Sequence, residues 1–219
     1  MAFFFTLYIT MKIKINVPES LNEITLEQYQ KWLKISDGKE MDMFLQQKMI
    51  EIFCNVPLKQ VLGIKAIDIN NICTMLHNMF QQKPKFKDRF KYNDIEFGFI
   101  PKLDDITFGE YVDLDNYLTD WKLMDKAMSV LFRPITHTRK NTYLIEDYIS
   151  ADTYDLKDIT LDIVFGALVF FYNLGNELQN HILKYLAMQG EVDLSQEQRV
   201  SILNGVGINP SMDYAKGIL

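Results

Sequence analysis

The chain has 219 residues, of which 48% are hydrophobic and 24% are charged, and its formal net charge is −6. These values are typical of a folded protein with a sizeable core, and they exclude collagen, disordered linkers and small disulfide-bonded scaffolds. The negative charge also excludes a protein that is basic over its whole surface, as many nucleic-acid-binding domains are.

The N-terminus allows two interpretations. Residues 1–10 are apolar but too few to span a bilayer, and lysines follow this stretch instead of preceding it, which is the reverse of a signal peptide. Either Met11 is the true start of the protein, or residues 1–10 form a first strand within a sheet. Residues 12–17 alternate between polar and apolar side chains up to Pro18 and predict a strand.

Three helices are predicted in the next part of the chain. Thr25 and Gln28 have the spacing of a capping box, in which two side chains satisfy backbone N–H groups at a helix N-terminus. Two further helices are predicted from about 41 to 54 and from about 68 to 81, because their apolar residues recur at helical spacing.

The pattern changes at residues 83–101, where polar and apolar side chains alternate and Asn93 and Asp94 supply a two-residue turn. This predicts a β-hairpin whose apolar pairs and opposite-charge pair fall into register together, so that a shift by one residue would break both. The predicted cross-strand pairs are Tyr92 with Ile95, Phe90 with Phe97, and Lys91 with Glu96.

Helices are predicted again after Pro101. Thr107 and Glu110 form a second capping box, and the helix that it opens carries Phe108, Tyr111 and Val112. The remaining predictions are a helix over 121–132, a polar connector over 135–141, a short strand or extended segment over 143–148, a long helix over about 160–189 and a last helix over 195–204.

Together these elements predict a mainly α protein of the α+β class. The first half of the helix at 160–189 is apolar on every side but too short for a membrane span, which favours a central helix packed all round. The predicted division is an N-terminal strand plus helical region (1–82), one β-hairpin (83–101) and a helical region (102–219). A single domain comprising all three is the alternative.

The most distinctive polar feature is a row of cations that alternates with apolar residues in the hairpin. One hypothesis is contact with an anionic partner, either nucleic-acid phosphates or an acidic protein surface. The alternative is an edge strand that lysines protect from aggregation. The position of Glu96 opposite Lys91 favours this alternative, because it gives that lysine a partner within the hairpin. The candidate contact residues are Lys83, Lys85, Lys87, Arg89 and Lys91.

The sequence contains no nucleophile elbow, Walker loop, dinucleotide fingerprint or HExxH motif. Cys73 and His77 have the spacing of two metal ligands on a helix, but no second pair accompanies them, so Cys73 and Cys54 are predicted to be buried, reduced thiols. Acidic residues between 104 and 120 fit helix capping better than cation binding. No catalytic residue, metal or cofactor is predicted.

Methionines are frequent in three of the predicted helices. Met packs adaptably, so it is common both in cores and on surfaces that repack around partners, and core filling is the favoured interpretation here. The residues are Met41, Met43, Met49, Met75, Met79, Met124 and Met128.

Three stretches resemble a known family: 106–117 (ITFGEYVDLDNY), 124–135 (MDKAMSVLFRPI) and 143–148 (YLIEDY), and the apolar helix at 162–172 fits the same pattern. The family consists of small proteins of tailed bacteriophages, especially crAss-like phages of gut Bacteroidales, and its members lie among virion and tail-assembly genes. The resemblance covers roughly residues 90–190. It implies a structural, packaged or assembly role without enzyme activity, and it carries over no functional residues.

We therefore expect a non-enzymatic tailed-phage protein that acts through protein–protein contacts, as a virion structural component or packaged cargo. Two alternatives are a tail-assembly chaperone that binds the tape-measure protein and is absent from the mature particle, and a protein that contacts nucleic acid through the basic hairpin. The expected partners are other phage structural or assembly proteins, or further copies of the chain, and no membrane. The expected location is the virion, or the host cytoplasm during assembly.

Overall fold

The computed structural model describes residues 15–188, with side chains described as far as residue 174. The fold belongs to the α+β class and combines helices with a four-stranded antiparallel sheet. The helices are α1 (Leu26–Ser36), α2 (Met43–Phe53), α3 (Leu58–Val61), α4 (Ala66–Phe80), α5 (Phe108–Tyr117), α6 (Met124–Leu131) and α7 (Leu161–Met188). The strands are β1 (Arg89–Tyr92), β2 (Ile95–Phe99), β3 (Phe132–Arg139) and β4 (Thr142–Ile145), in the sheet order β1-β2-β3-β4.

The first helices begin where their capping residues predict. Thr25 Oγ1 accepts a hydrogen bond from the Gln28 N–H at 3.2 Å, and Gln28 Oε1 accepts one from the Thr25 N–H at 2.9 Å. Helix α2 begins after Asp42, whose side chain accepts a hydrogen bond from the Leu45 N–H at 2.8 Å. Helices α2 and α4 confirm the other two predicted helices, with ends shifted by one or two residues.

Aromatic rings connect the segments on both sides of the predicted hairpin. The ring of Tyr29 in α1 has its centroid 5.3 Å from Phe80, 5.0 Å from Trp121 and 5.4 Å from Phe165. Phe165 belongs to α7, which begins far along the chain. The core therefore links α1, α4 and α7 across the boundaries that the sequence predicts near residues 82 and 101.

The hairpin β1–β2 has the predicted register. Asn93 and Asp94 adopt φ values of 48° and 63°, the left-handed geometry that a two-residue turn of this kind requires. The pairs Phe90 with Phe97 and Lys91 with Glu96 are those predicted. However, strand β1 is shorter than expected, since the chain from 82 to 88 pairs with none of the described strands.

A second hairpin, β3–β4, was not predicted, so the expectation of a single hairpin is wrong. The segment 135–141, interpreted as a polar connector, belongs mostly to β3, which follows α6 without a loop. Pro134 lacks an N–H donor and normally argues against an inner strand, but here it lies opposite Phe97, and a bulge follows between Ile135 and His137. Strand β4 agrees with the strand interpretation of 143–148.

Helix α7 matches the long helix predicted over about 160–189. Residues 161–168 are all buried, residues 169–172 are half-buried, and exposure begins at Asn173, so burial on every side ends earlier than the sequence suggests. Within residues 15–188, no helix combines the length and the apolar character needed to cross a bilayer.

Two predicted elements fall partly or wholly outside the described residues. Of the strand predicted over 12–17, only residues 15–17 are described, and they pair with none of the four described strands. The helix predicted over 195–204 lies outside the described part of the chain.

Candidate functional site

Residues 82–88 form an extended segment, which we call the strap, that lies against α7. A Cβ atom placed on Gly166 would lie 3.0 Å from the carbonyl oxygen of Lys85, so the strap backbone touches the helix where the helix has no side chain. The ring of Phe86 stacks on that of Phe170, one helical turn further along α7, with centroids 4.6 Å apart. Five of the seven strap residues are exposed, and Pro84 and Phe86 are half-buried.

The strap also binds α7 through an ion pair. Lys87 Nζ lies 2.5 Å from Oδ2 of Asp162, which precedes Gly166 by one helical turn. The Asp162 side chain is only 11% exposed and that of Lys87 is 53% exposed. Two of the five predicted contact residues therefore have an intramolecular carboxylate as their partner, because Arg89 Nε also lies 3.7 Å from Oδ2 of Asp88.

Arg89 packs on an aromatic ring from the opposite edge of the sheet. Its guanidinium carbon lies 4.4 Å from the ring centroid of Tyr143 in β4. The Tyr143 hydroxyl donates to the carbonyl oxygen of Phe99 at 2.8 Å, and the carbonyl oxygen of Asp88 lies 3.2 Å away as an alternative acceptor. Burial raises the pKa of Tyr143 to about 12, and the nearby Asp88 carboxylate adds to the shift. A second predicted contact residue is therefore partly used to hold the sheet together.

The other three predicted cations are exposed. Lys83 and Lys85 lie on the strap, and Lys91 lies in β1 opposite Glu96. None of the three forms an ion pair with a described residue. The structure therefore divides the predicted row into two residues with structural contacts and three that project into solvent.

Strand β1 is an edge of the sheet, and an open cleft of about 400 Å³ runs along it. We call this space the edge cleft. One wall is the chain from the end of the strap through β1 to Asn93, and the other is the segment from Asp158 to Ile163 together with Asn22. Three predicted contact residues line it, namely Lys87, Arg89 and Lys91.

The charges around the edge cleft are mixed. Asp158 and Asp162 line the wall opposite the three cations. Burial raises the pKa of the Tyr92 hydroxyl, and the nearby carboxylates of Asp158 and Asp155 raise it further. A nucleic-acid backbone carries a charge at every phosphate, so carboxylates within the cleft oppose such a ligand. A partner with a few localised acidic groups fits this charge pattern better.

A buried ion pair joins α5 to the sheet. Arg133 Nη1 lies 2.6 Å from Oε1 of Glu110, at an angle outside hydrogen-bond geometry, and both side chains are less than 10% exposed. Burial alone would raise the pKa of Glu110. Hydrogen bonds from the Thr107 N–H and side chain, together with the charge of Arg133, have a larger opposite effect, so the pKa of Glu110 lies below its usual value. Glu110 thus both caps the helix and neutralises a buried arginine.

Tyr148 lies beside this pair. Its ring centroid is 5.6 Å from the guanidinium carbon of Arg133, and its hydroxyl donates a hydrogen bond to Asp113 of α5. Burial and the Asp113 carboxylate raise the pKa of the Tyr148 hydroxyl. These contacts fix one face of α5 against the sheet.

Helix α5 exposes three aromatic or apolar residues that its sequence carries. Phe108 is 81% exposed, Tyr111 is 51% exposed and Val112 is 38% exposed. At helical spacing these three residues form one exposed surface, which we call the α5 stripe. The buried face instead carries Glu110 and Leu114. The helix is therefore oriented by its buried acid, with its largest apolar side chain in solvent.

Other features singled out in the sequence have structural explanations. Cys54 and Cys73 are buried and unbonded, and burial raises the pKa of each thiol to about 11. His77 is exposed, and no group of three or more candidate metal ligands occurs among the described residues. Among the acidic residues, Asp120 caps the turn Trp121–Leu123 and Asp105 pairs with Lys102 at 3.4 Å.

The methionines divide between the core and the surface. Those in the core are Met49, Met79, Met124 and Met128, and those on the surface are Met41, Met43 and Met75. The core-filling interpretation therefore holds for four of the seven.

Comparison of the chain with protein-family models, with curated proteins and with solved structures gives no match.

Proposed function

We propose that this chain is a non-enzymatic protein of tailed phages that works through protein–protein contacts, as a structural component or packaged cargo of the virion. The observation that carries the proposal is the α5 stripe. Phe108 and Tyr111 are exposed on a helix that buries Glu110 instead. In this proposal the buried first half of α7 is the central scaffold, and α5 is the contact element.

Exposed apolar residues are common singly, but a large aromatic pair on one helix face is a typical feature of an interface. Aromatic side chains are enriched at protein contacts and carry much of their binding energy. The orientation of α5 is set by the ion pair between Glu110 and Arg133, which is nearly inaccessible to solvent. The stripe is thus fixed in place before any partner binds, which lowers the entropic cost of association.

The phage part of the proposal rests on the sequence resemblance. The first of the resembling stretches, 106–117, includes the whole of α5 and its capping residue Thr107. The second and third, 124–135 and 143–148, include α6 and most of β4. The resemblance therefore coincides with the helix that carries the stripe and with the elements around it.

The experiment is quantitative mass spectrometry of washed particles of the phage that encodes the chain. The proposal predicts that the protein stays with the particles at a constant ratio to the other structural proteins after salt washing. Its presence in infected cells and its absence from the particles would contradict the virion proposal and would favour the tail-assembly chaperone.

A further inference from the structure

The outer edge of β1 presents a defined set of backbone groups to the edge cleft. The two-residue turn makes Tyr92 and Ile95 a hydrogen-bonded pair. Hydrogen-bonded and non-hydrogen-bonded pairs then alternate along the antiparallel hairpin. The Phe99 N–H donates to the carbonyl oxygen of Asp88 at 2.8 Å, as this alternation requires. The N–H and C=O groups of Arg89 and Lys91 therefore point away from β2, into the cleft.

The opposite wall of the cleft is held in place by the chain itself. The Leu26 N–H donates to the carbonyl oxygen of Ile159 at 2.8 Å, and the Leu161 N–H donates to that of Ile24 at 2.9 Å. These bonds tie the wall to the start of α1 and leave the edge of β1 without a neighbouring strand among the described residues. The cleft is thus a space beside a strand edge that no described strand pairs with.

We propose that the edge cleft binds an extended acidic segment of another protein, which adds to the sheet as a fifth, antiparallel strand beside β1. Backbone groups of such a segment would pair with those of Arg89 and Lys91, as in other complexes formed by strand addition. Residues directly opposite Arg89 and Lys91 would share their face of the sheet, where acidic side chains are favoured. The residue between them would share the face of Phe90 and approach Ile159 and Ile163, which favours an apolar side chain.

Charge disfavours two other occupants. A second copy paired antiparallel through β1 would place Arg89 and Lys91 against the same cations of its neighbour, and like charges directly opposite each other are destabilising. Nucleic acid would bring phosphates against Asp158 and Asp162 as well as against the cations. An acidic–apolar–acidic segment pairs with the backbone groups and places its few charges opposite Arg89 and Lys91, and Asp158 is the carboxylate that opposes it.

This inference concerns a surface other than the α5 stripe, so it can fail or succeed independently of the proposed function. The test is fluorescence anisotropy of the purified full-length chain with a labelled nine-residue peptide of alternating glutamate and valine. The matched control is a peptide of alternating lysine and valine. We expect saturable binding of the first peptide and no binding of the second at the same concentrations.

Backbone methylation of the peptide tests the strand geometry directly. In an antiparallel fifth strand the glutamate amides face β1, so N-methylation of the central glutamates should weaken binding at least tenfold. N-methylation of the valines between them should change the affinity less than twofold. Equal effects of the two methylations, or no binding at millimolar peptide, would overturn the proposal.

Protein variants test the charge pattern. Lys91→Gln should weaken binding of the glutamate peptide about two- to fivefold, the range of a cross-strand charge pair. Lys83→Gln removes an exposed strap lysine that does not line the cleft and should leave the affinity unchanged. Asp158→Asn should strengthen binding, because it removes a repulsive carboxylate. Displacement of the peptide by a single-stranded oligonucleotide with a steep salt dependence would contradict the proposal and favour nucleic acid.

Discussion

The ring of Tyr143 in β4 covers Gly98 in β2, reaching across the intervening strand. A Cβ atom placed on Gly98 would lie 2.9 Å from Cδ2 of Tyr143, closer still to Cε2, and 2.9 Å from Cγ1 of Ile135. In the sheet register Gly98 lies between Arg89 and Arg133. Because Gly98 has no side chain, the Tyr143 ring can lie over it, and Arg89 stacks on that ring.

Gly98→Ala should therefore destabilise the protein by about 1–3 kcal/mol, because the ring must move and the sheet is overpacked. The measurement is the free energy of unfolding from urea denaturation. Gly109→Ala in α5 is the matched control, since a Cβ there meets no atom closer than 4.0 Å. Its stability should be unchanged or slightly increased. Equal stability of Gly98→Ala and the wild type would show that the ring does not depend on the glycine.

The pair Glu110–Arg133 should show strong energetic coupling. Glu110→Gln retains an oxygen that can accept the Thr107 N–H but leaves Arg133 charged and buried without a counter-charge. Removing one member of a buried ion pair costs about 3–5 kcal/mol, whereas replacing both by neutral groups is often nearly neutral. The double variant Glu110→Gln/Arg133→Met should therefore be more stable than the sum of the single losses predicts. Additive losses in urea denaturation would contradict the coupling.

The same pair makes stability depend on pH. The pKa of Glu110 is lower in the folded protein than in the unfolded chain, where it is about 4.3. Ionisation of Glu110 therefore stabilises the fold, and this contribution is complete at pH values above the unfolded-state pKa. This contribution is lost as the pH falls through the folded pKa. The stability difference between the wild type and Glu110→Gln should thus be largest near pH 7 and should shrink towards pH 3. A difference that stays constant over this range would show that the charge of Glu110 is not the cause.

Gly166 should control how firmly the strap is held. A Cβ at this position would lie 3.0 Å from the carbonyl oxygen of Lys85 and 3.3 Å from Cα of Phe86, both backbone atoms that cannot move without displacing the strap. Gly166→Ala should therefore accelerate trypsin cleavage after Lys85 and Lys87 severalfold. Gly109→Ala again serves as the control and should leave the cleavage rate at that of the wild type. Unchanged cleavage in Gly166→Ala would show that the strap is held elsewhere.

The sequence predicts those helices and strands that are determined by residues close together in the chain. The capping residues Thr25 and Thr107 mark the starts of α1 and α5, and the turn at Asn93 and Asp94 specifies the register of β1–β2. Strand β3 was missed because Pro134 and the polar residues after it are typical of a connecting loop. The strand forms because β2 and β4 pair with it on either side.

The candidate site was only half predictable for a related reason. The five cations are visible in the sequence, but the partner of Lys87 lies 75 residues away in α7, and the ring that packs on Arg89 lies in β4. The orientation of α5 depends on Arg133, which lies outside the helix, so the sequence of α5 alone does not specify which of its faces is buried. No signal within the helix could have shown that its acid is buried.

The account depends most on the α5 stripe as a protein contact, and incorporation of a stripe variant into particles tests it most directly. Phe108→Ser/Tyr111→Ser changes two exposed residues and should leave the stability of the isolated chain within about 0.5 kcal/mol. Ile67→Ser, an exposed apolar residue of α4, is the matched control. In particles washed and quantified by mass spectrometry, the account predicts at least a tenfold loss of the double variant and wild-type amounts of Ile67→Ser. Wild-type amounts of the double variant would contradict it.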